Sequence, residues 1–334
     1  KEILSKNKNK LVFLLILAAI AFAVFANTLS GDFVYDDKRQ IVQNPLIQNS
    51  ALYGKALTSD VWAFKGDGTM AGSNYYRPTF TAWLILNFQM FGLNVFGWHF
   101  TSNLLHVAVC LLGFLLLRRW NLDEKLAFAI CLIFAVHPVH SESIAWISGS
   151  PDLLFGLFLL GSFWFAENIS RANSVQITEK KADSKDYKNL IFALIFYAFA
   201  LGSKEVAILC FPLFYLIFAR LADKKTAVKL TIPFLSIAFL YFLLRRFTLG
   251  AFSLPVEDSP NFFQTVLTIP AMFVFYLKQL FFPLWLGVNH PLRPVSEITL
   301  LEFVLPLIIS TAALILFWLL AKKSFIQKFG LALF

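Results

Sequence analysis

Long unbroken apolar runs, separated by short polar segments, make up most of the chain. A hydrocarbon core of ~30 Å is crossed by about 20 apolar residues in helix. On that measure the runs predict spans near 11–29, 99–117, 126–141, 151–168, 189–201, 205–220, 229–244, 264–283 and 301–321. The predicted fold class is all-α: a polytopic helical membrane protein with about nine or more transmembrane helices. A transmembrane β-barrel would show alternating segments of ~10 residues, and these runs do not alternate. Residues 30–98 break the rhythm. The stretch is too long for a turn and too aromatic for a disordered linker, and Val61–Phe64 and Trp83–Phe91 read as helices lying in the membrane interface. The whole chain, 1–334, reads as a single transmembrane domain. Its first run is long, with no clear small-x-small site before Ser30–Gly31, so it reads as an anchor and not as a cleaved signal. The chain begins with Lys and ends inside an apolar run, so both ends read as trimmed from a longer protein.

Composition supports this class. The chain is 58% hydrophobic and 15% charged, with 39 Phe, against about 45–50% and ~25% in soluble domains. A water-soluble globule could not hide so much apolar surface. Cys110, Cys131 and Cys210 all fall inside apolar runs and read as small buried hydrophobes. The net charge of +9 raises a nucleic-acid reading, which the placement of the cations removes. Lys1, Lys6, Lys8 and Lys10 precede the first run. Arg118, Arg119 and Lys125 follow the second; Arg171, Lys180, Lys181, Lys185 and Lys188 follow the fourth; Arg220, Lys224, Lys225 and Lys229 follow the sixth. These are alternate loops, so the positive-inside rule places them and the N-terminus in the cytoplasm, beside anionic lipid. Residues 30–98 then face the periplasm or lumen. Parity fails at the end: Arg245–Arg246 and Lys322–Lys323 fall on the predicted outer side, so one of the last three runs is re-entrant or in-plane, or the two arginines are outside for a reason.

Ionisable groups at membrane depth are expensive unless paired or wetted. Three clusters sit on the predicted outer side. Asp36–Asp37 is an adjacent carboxylate pair in which mutual repulsion should raise one pKa, which suits a general base or a water-assisted metal pair. Taken alone, two loop aspartates weigh more as solvated caps. His137-Pro138-Val139-His140-Ser141-Glu142, with Asp152 close behind, has the spacing of a zinc site. An interfacial turn explains the histidines more simply than zinc, but four ionisable groups at a span end still mark a polar site. Lys204–Glu205 reads either as a neutralised pair in a tight turn or as a cation for a phosphate oriented by its carboxylate. Arg77, Arg245, Arg246, His290 and Arg293 add further candidates. His99, Asn103 and His106, at i, i+4 and i+7, share one helix face whose simplest use is interhelical hydrogen bonding.

Taken in order, these stretches resemble one family. They are Gly31-Asp32-Phe33-Val34-Tyr35-Asp36-Asp37 with Ile41 and Asn44-Pro45; Tyr76-Arg77-Pro78; Phe91-Gly92-Leu93-Asn94 and His99 to His106; Phe134-Ala135-Val136-His137-Pro138-Val139-His140-Ser141-Glu142 with Gly149 and Asp152-Leu153-Leu154; Ser203-Lys204-Glu205; and Tyr276-Leu277-Lys278-Gln279-Leu280 with Pro283. The series is similar to the transmembrane and tetratricopeptide-repeat-containing O-mannosyltransferases and their bacterial relatives, which belong with the family C glycosyltransferases. Two departures stand out. Ser150–Pro151 occupies a place where family members usually carry a basic residue, and the family's C-terminal repeat domain is absent from this sequence.

The resemblance implies transfer of a mannose-like hexose from a polyprenyl-phosphate lipid to an acceptor hydroxyl, on protein or glycan, with inversion. Asp36 or Asp37 would take the hydroxyl proton. Lys204, Arg245 and Arg246, with Arg77 and Arg293, would hold the leaving phosphate. His137, His140, Glu142, Asp152, Glu205 and His290 would shape the pocket. No cofactor is required, although Asp36 and Asp37 could hold a divalent metal. A bacterial inner membrane fits better than the endoplasmic reticulum. The alternative is a non-catalytic membrane scaffold that keeps this fold inside a larger complex.

Overall fold

The computed structural model describes residues 2–65, 73, 75–175, 184–220, 222–250, 260–284, 286–287, 293–320 and 324–333. His290, Lys322 and Lys323 lie outside the described residues. Fourteen α-helices follow one another, with no strand among the described residues. They are α1 (Glu2–Val24), α2 (Pro45–Gln48), α3 (Tyr53–Leu57), α4 (Pro78–Phe91), α5 (Val95–Arg119), α6 (Glu124–Val136) and α7 (Ser141–Ala145). Then come α8 (Pro151–Val175), α9 (Ser184–Ser203), α10 (Phe211–Ala219), α11 (Lys224–Leu249), α12 (Phe262–Phe281), α13 (Leu305–Leu320) and α14 (Phe325–Leu333). Two compact units result: Lys1–His137 with Ser143–Leu254, and Pro138–Glu142 with Pro255–Phe334.

Local chemistry sets the helix ends. Asp123 caps α6 by accepting the Lys125 and Leu126 N–H groups at 3.0 and 3.1 Å. Asp223 does the same for α11 through Lys225 and Thr226. Each carboxylate satisfies backbone donors that the first helical turn leaves unpaired. At its far end α11 stops at Gly250, whose φ of 73° a side chain would resist. Asn261 and Gln264 form a reciprocal capping box at the start of α12.

Four helices are long and apolar enough to cross a membrane: Val95–Arg119, Ile147–Ile169, Lys224–Leu249 and Leu300–Leu320. A fifth appears if Glu124–Val136 and Pro138–Ala145 count as one broken span. The nine predicted spans are therefore not all met. Lys10–Val24, Tyr187–Ser203 and Glu205–Ala219 are apolar but shorter. The expected outer segment folds as a stack of short helices on α4, with a buried core that includes Ile41, Ile47, Phe80, Leu84, Trp98 and Ile144. The predicted interfacial helices correspond to a 3-10 turn at Ala63–Lys65 and to α4, which begins earlier than the apolar pattern suggested because Pro78 supplies its first turn.

Within the first unit α1, α5 and α6 pack through Leu17, Ala21, Cys110, Phe114 and Cys131. All three cysteines are buried and unbridged, as expected. Phenylalanine fills the next layer. Phe214 stacks on Phe234 with centroids 3.8 Å apart and meets Phe163 and Tyr197 edge-on. At the end of the bundle carrying Arg119 and Arg220, two of the predicted cytoplasmic cations turn inward. Arg119 bonds Asn168 and lies over the Trp164 ring at 4.6 Å. Arg220 pairs with fully buried Glu167 at 3.3 Å. These two cations therefore stitch helices together, in place of the contact with anionic lipid expected for their loops.

Helices α8 and α9 meet closely at Gly161, where a Cβ would stand 2.4 Å from the Phe196 ring. Gly161→Leu is expected to destabilise the protein by about 1–3 kcal/mol through overpacking. Thermal unfolding in detergent should show a lowered midpoint, and an unchanged midpoint would mean that this contact is loose.

Candidate active site

The site grows from two chain breaks. Arg77 precedes Pro78, so its backbone is held out of the helical region, at φ −130° and ψ 67°. Between α9 and the turn Glu205–Cys210, Lys204 is extended, at φ −151° and ψ 125°. These two irregular points face each other. The Arg77 guanidinium donates from Nε to Glu205 Oε2 at 2.9 Å and from Nη2 to Oε1 at 2.8 Å, a bidentate fork. Both side chains are largely out of water, with 15% and 30% exposure. Burial pulls the Arg77 pKa down, but the hydrogen bond and charge of Glu205 outweigh it and hold the guanidinium above its ordinary value. Arg77 also lies over the Tyr75 ring at 4.3 Å.

Lys204 ion-pairs with Asp152 in the first turn of α8. Helix α11 supplies the third wall. Its Tyr241 hydroxyl donates to the Tyr76 carbonyl at 2.7 Å, and the two rings stack with centroids 6.1 Å apart. The Tyr76 hydroxyl hydrogen-bonds Thr248. Arg245 lies within electrostatic range of Glu205 and Tyr241. Five sequence-predicted residues thus fall into two ion pairs seated on adjacent positions, Arg77–Glu205 and Lys204–Asp152, with Arg245 in electrostatic range of the first.

Asp36 and Asp37 do different things. Asp37 is fully buried. Its Oδ1 accepts the Ser148 N–H at 2.7 Å and the Ser148 hydroxyl at 2.6 Å, while Oδ2 accepts the Val34 N–H at 3.2 Å. Its pKa is raised above the ordinary 3.8, and burial is the cause, with the Ser148, Val34 and Ile147 hydrogen bonds pulling the other way. The sequence reading attributed such a rise to repulsion between neighbours. Asp36 stays partly exposed beside it. A carboxylate wrapped in N–H and O–H donors fits a clamp better than a cation cradle, so the residues do not make Asp37 a metal ligand. Among the described residues no group of three or more His, Cys, Asp and Glu could hold a metal ion.

Ser148 lies four residues before Asp152, so the Asp37 clamp and the Lys204 pair are tied to the same short segment. His137 caps the end of α6, its N–H on the Phe134 carbonyl at 3.2 Å. Arg246 binds the Gly250 carbonyl at the end of α11. His140 and Glu142 lie in the second unit, as does exposed Arg293. The His99 face makes interhelical bonds: Asn103 donates to Thr28 Oγ1 at 2.9 Å, and His106 Nε2 lies 3.0 Å from the Ala135 carbonyl.

Sequence reasoning named Tyr76 only as part of a motif and missed Tyr241, Thr248 and Ser148. Tyr241, Arg245 and Thr248 stand at i, i+4 and i+7 of an apolar helix, the spacing that drew attention to His99. Ser148 carries no such signal, being 111 residues from its partner.

No family model matches the chain, and no solved structure matches it. Curated relatives do. A protein O-mannosyl-transferase of Caenorhabditis elegans is 32% identical over 154 residues, covering 45% of this chain and 22% of that protein. Human protein O-mannosyl-transferase TMTC4 is 32% identical over 162 residues, covering 45% and 22%, and human TMTC1 is 34% identical over 150 residues, covering 44% and 17%. These names match the family that the motifs resemble. The matched stretch is a minor part of each relative's length.

The raised Asp37 pKa makes stability depend on pH with a definite sign. Between 3.8 and the higher folded value the native state binds the proton more tightly than the unfolded chain. Stability contributed by the protonated carboxyl is complete below that window and is lost as pH rises through it. Thermal midpoints measured upward from about pH 4 should fall more steeply for the wild type than for Asp37→Asn, and identical slopes would remove Asp37 as the source.

Proposed function

We propose that this protein moves a mannose-like hexose from a polyprenyl phosphate to a hydroxyl of an acceptor protein, at the periplasmic or lumenal face, with inversion at the sugar. The observation that carries the reading is a pair of cation–carboxylate contacts, Arg77–Glu205 and Lys204–Asp152, with Arg245 in electrostatic range of Glu205, beside the segment that Ser148 ties to the Asp36–Asp37 turn. The relatives' names agree with it.

The leaving group needs positive charge. Arg77 gives two of its five N–H donors to Glu205, and Lys204 gives one of its three to Asp152. Each carboxylate thus fixes a cation's direction and leaves donors over for a phosphate. The acceptor oxygen attacks sugar C1 as the C1–O bond to phosphate breaks. Its proton passes to the Asp36 carboxylate, and the electron pair leaves on the polyprenyl phosphate. Asp37 holds the Asp36 turn against Ser148. Because phosphate is already a good leaving group, positioning and electrostatics supply most of the acceleration. His137 and Arg246 belong to the wider pocket in this reading. The N-terminus is cytoplasmic, and a bacterial inner membrane is favoured over the endoplasmic reticulum.

Reconstituted protein supplied with radiolabelled polyprenyl-phosphate mannose and a Ser/Thr-rich peptide should label the peptide. Asp36→Asn is expected to cut the rate by at least about 100-fold. Undiminished labelling in that variant would remove Asp36 as the base. A wild type that binds the lipid but never transfers its sugar would favour a scaffold.

A further inference from the structure

Tyr35 sits where its residue type is least at ease. Its φ is 46°, in the left-handed region, and apart from Asn121 it is the one non-glycine residue so placed among the described residues. A bulky side chain there is strained, whereas glycine would not be. The ring is also 70% exposed, beside Val34 at 38%. Strain and apolar exposure both argue against a tyrosine at this position on grounds of stability.

The surroundings keep it there. Residues 34–37 form a tight turn closed by the Asp37 N–H on the Val34 carbonyl at 2.9 Å. On one flank Phe33 is buried and meets Trp98 edge-on, with centroids 6.1 Å apart. On the other, Asp37 is fixed to Ser148. The turn is therefore anchored at both feet and carries Tyr35 at its tip, immediately before Asp36. Strain held by an over-determined frame is characteristic of functional sites. A membrane-belt tyrosine would need no such backbone.

We infer that the Tyr35 ring is a contact surface for the acceptor polypeptide, against which the residues flanking the reacting hydroxyl lie as that hydroxyl reaches Asp36. The inference rests on the transferase reading above and adds to it the residue that meets the acceptor. An aromatic face offers a broad, rigid and sequence-tolerant surface, which suits an acceptor presented as an extended segment. The donor phosphate is held elsewhere, by Arg77, Lys204 and Arg245.

Initial rates with the labelled donor and a Ser/Thr-rich peptide separate the possibilities in wild type, Tyr35→Phe, Tyr35→Ala and Tyr35→Gly. Tyr35→Ala and Tyr35→Gly should raise the peptide KM about fivefold, while the donor KM stays within about twofold. Tyr35→Phe, which keeps the ring, should hold the peptide KM within about twofold of wild type. Tyr35→Gly should also unfold at or above the wild-type temperature, so its loss cannot be assigned to misfolding. If the wild type transfers sugar and the peptide KM of Tyr35→Ala is unchanged, or the donor KM rises instead, the inference is wrong and the transferase reading stands. If the wild type transfers nothing, both fall together.

Discussion

A guanidinium and a carboxylate that start 128 residues apart meet in a half-dry place, and neither could stay there alone. An uncompensated buried charge costs several kcal/mol, so losing either partner strands the other. The Arg77–Glu205 fork therefore does more than join two loops. It ties the pre-proline start of α4 to the break that follows α9. The Tyr241–Tyr76 bond brings α11 to the same point, and Arg245 comes with it. Asp37 plays the matching part for the first loop, exchanging water for two donors of Ser148 and one of Val34. Two carboxyl contacts, one buried at Asp37 and one half-buried at Glu205, thus tie together segments scattered along the chain.

These contacts stand out against the apolar background. The helices behind the rim are held by generic burial and by stacked phenylalanines, which tolerate exchange at similar volume. At the rim, direction matters: bidentate geometry and a doubly bonded serine leave little freedom. The irregular backbone sits there as well, in the pre-proline extension at Arg77, the break at Lys204 and the left-handed Tyr35. A site held this way can keep cations oriented without neutralising all of their donors, which is what a developing phosphate charge would need.

Much of this was legible in the sequence, for reasons that can be named. Unbroken apolar runs and alternating basic loops carried the helical membrane class. Lys204, Glu205 and Asp152 were visible because charge at the ends of apolar runs demands an explanation, and Arg77 through its place in Tyr76-Arg77-Pro78. The number of spans was less legible. Apolar length cannot separate a full crossing from the shorter helices Tyr187–Ser203 and Glu205–Ala219, which a break at Lys204 divides. Pairing was not legible at all. Lys204 and Glu205, adjacent in the chain, looked like partners of each other, but an extended backbone sends one to Asp152 and the other to Arg77. Likewise Asp36 and Asp37 looked equivalent, and only the burial of Asp37 separates them. Tyr241 was overlooked because an aromatic in an apolar run reads as packing until its hydroxyl is seen to point at a carbonyl.

The central claim is that the Arg77, Lys204 and Arg245 rim is the seat of a lipid phosphate. Cryo-electron microscopy of the reconstituted protein saturated with a polyprenyl phosphate tests it most directly. The account predicts phosphate density within hydrogen-bonding distance of Lys204 and at least one of the two arginines, with Asp36 opening onto the same space. Density elsewhere on the protein, with these cations enclosed only by their own carboxylates, would contradict it.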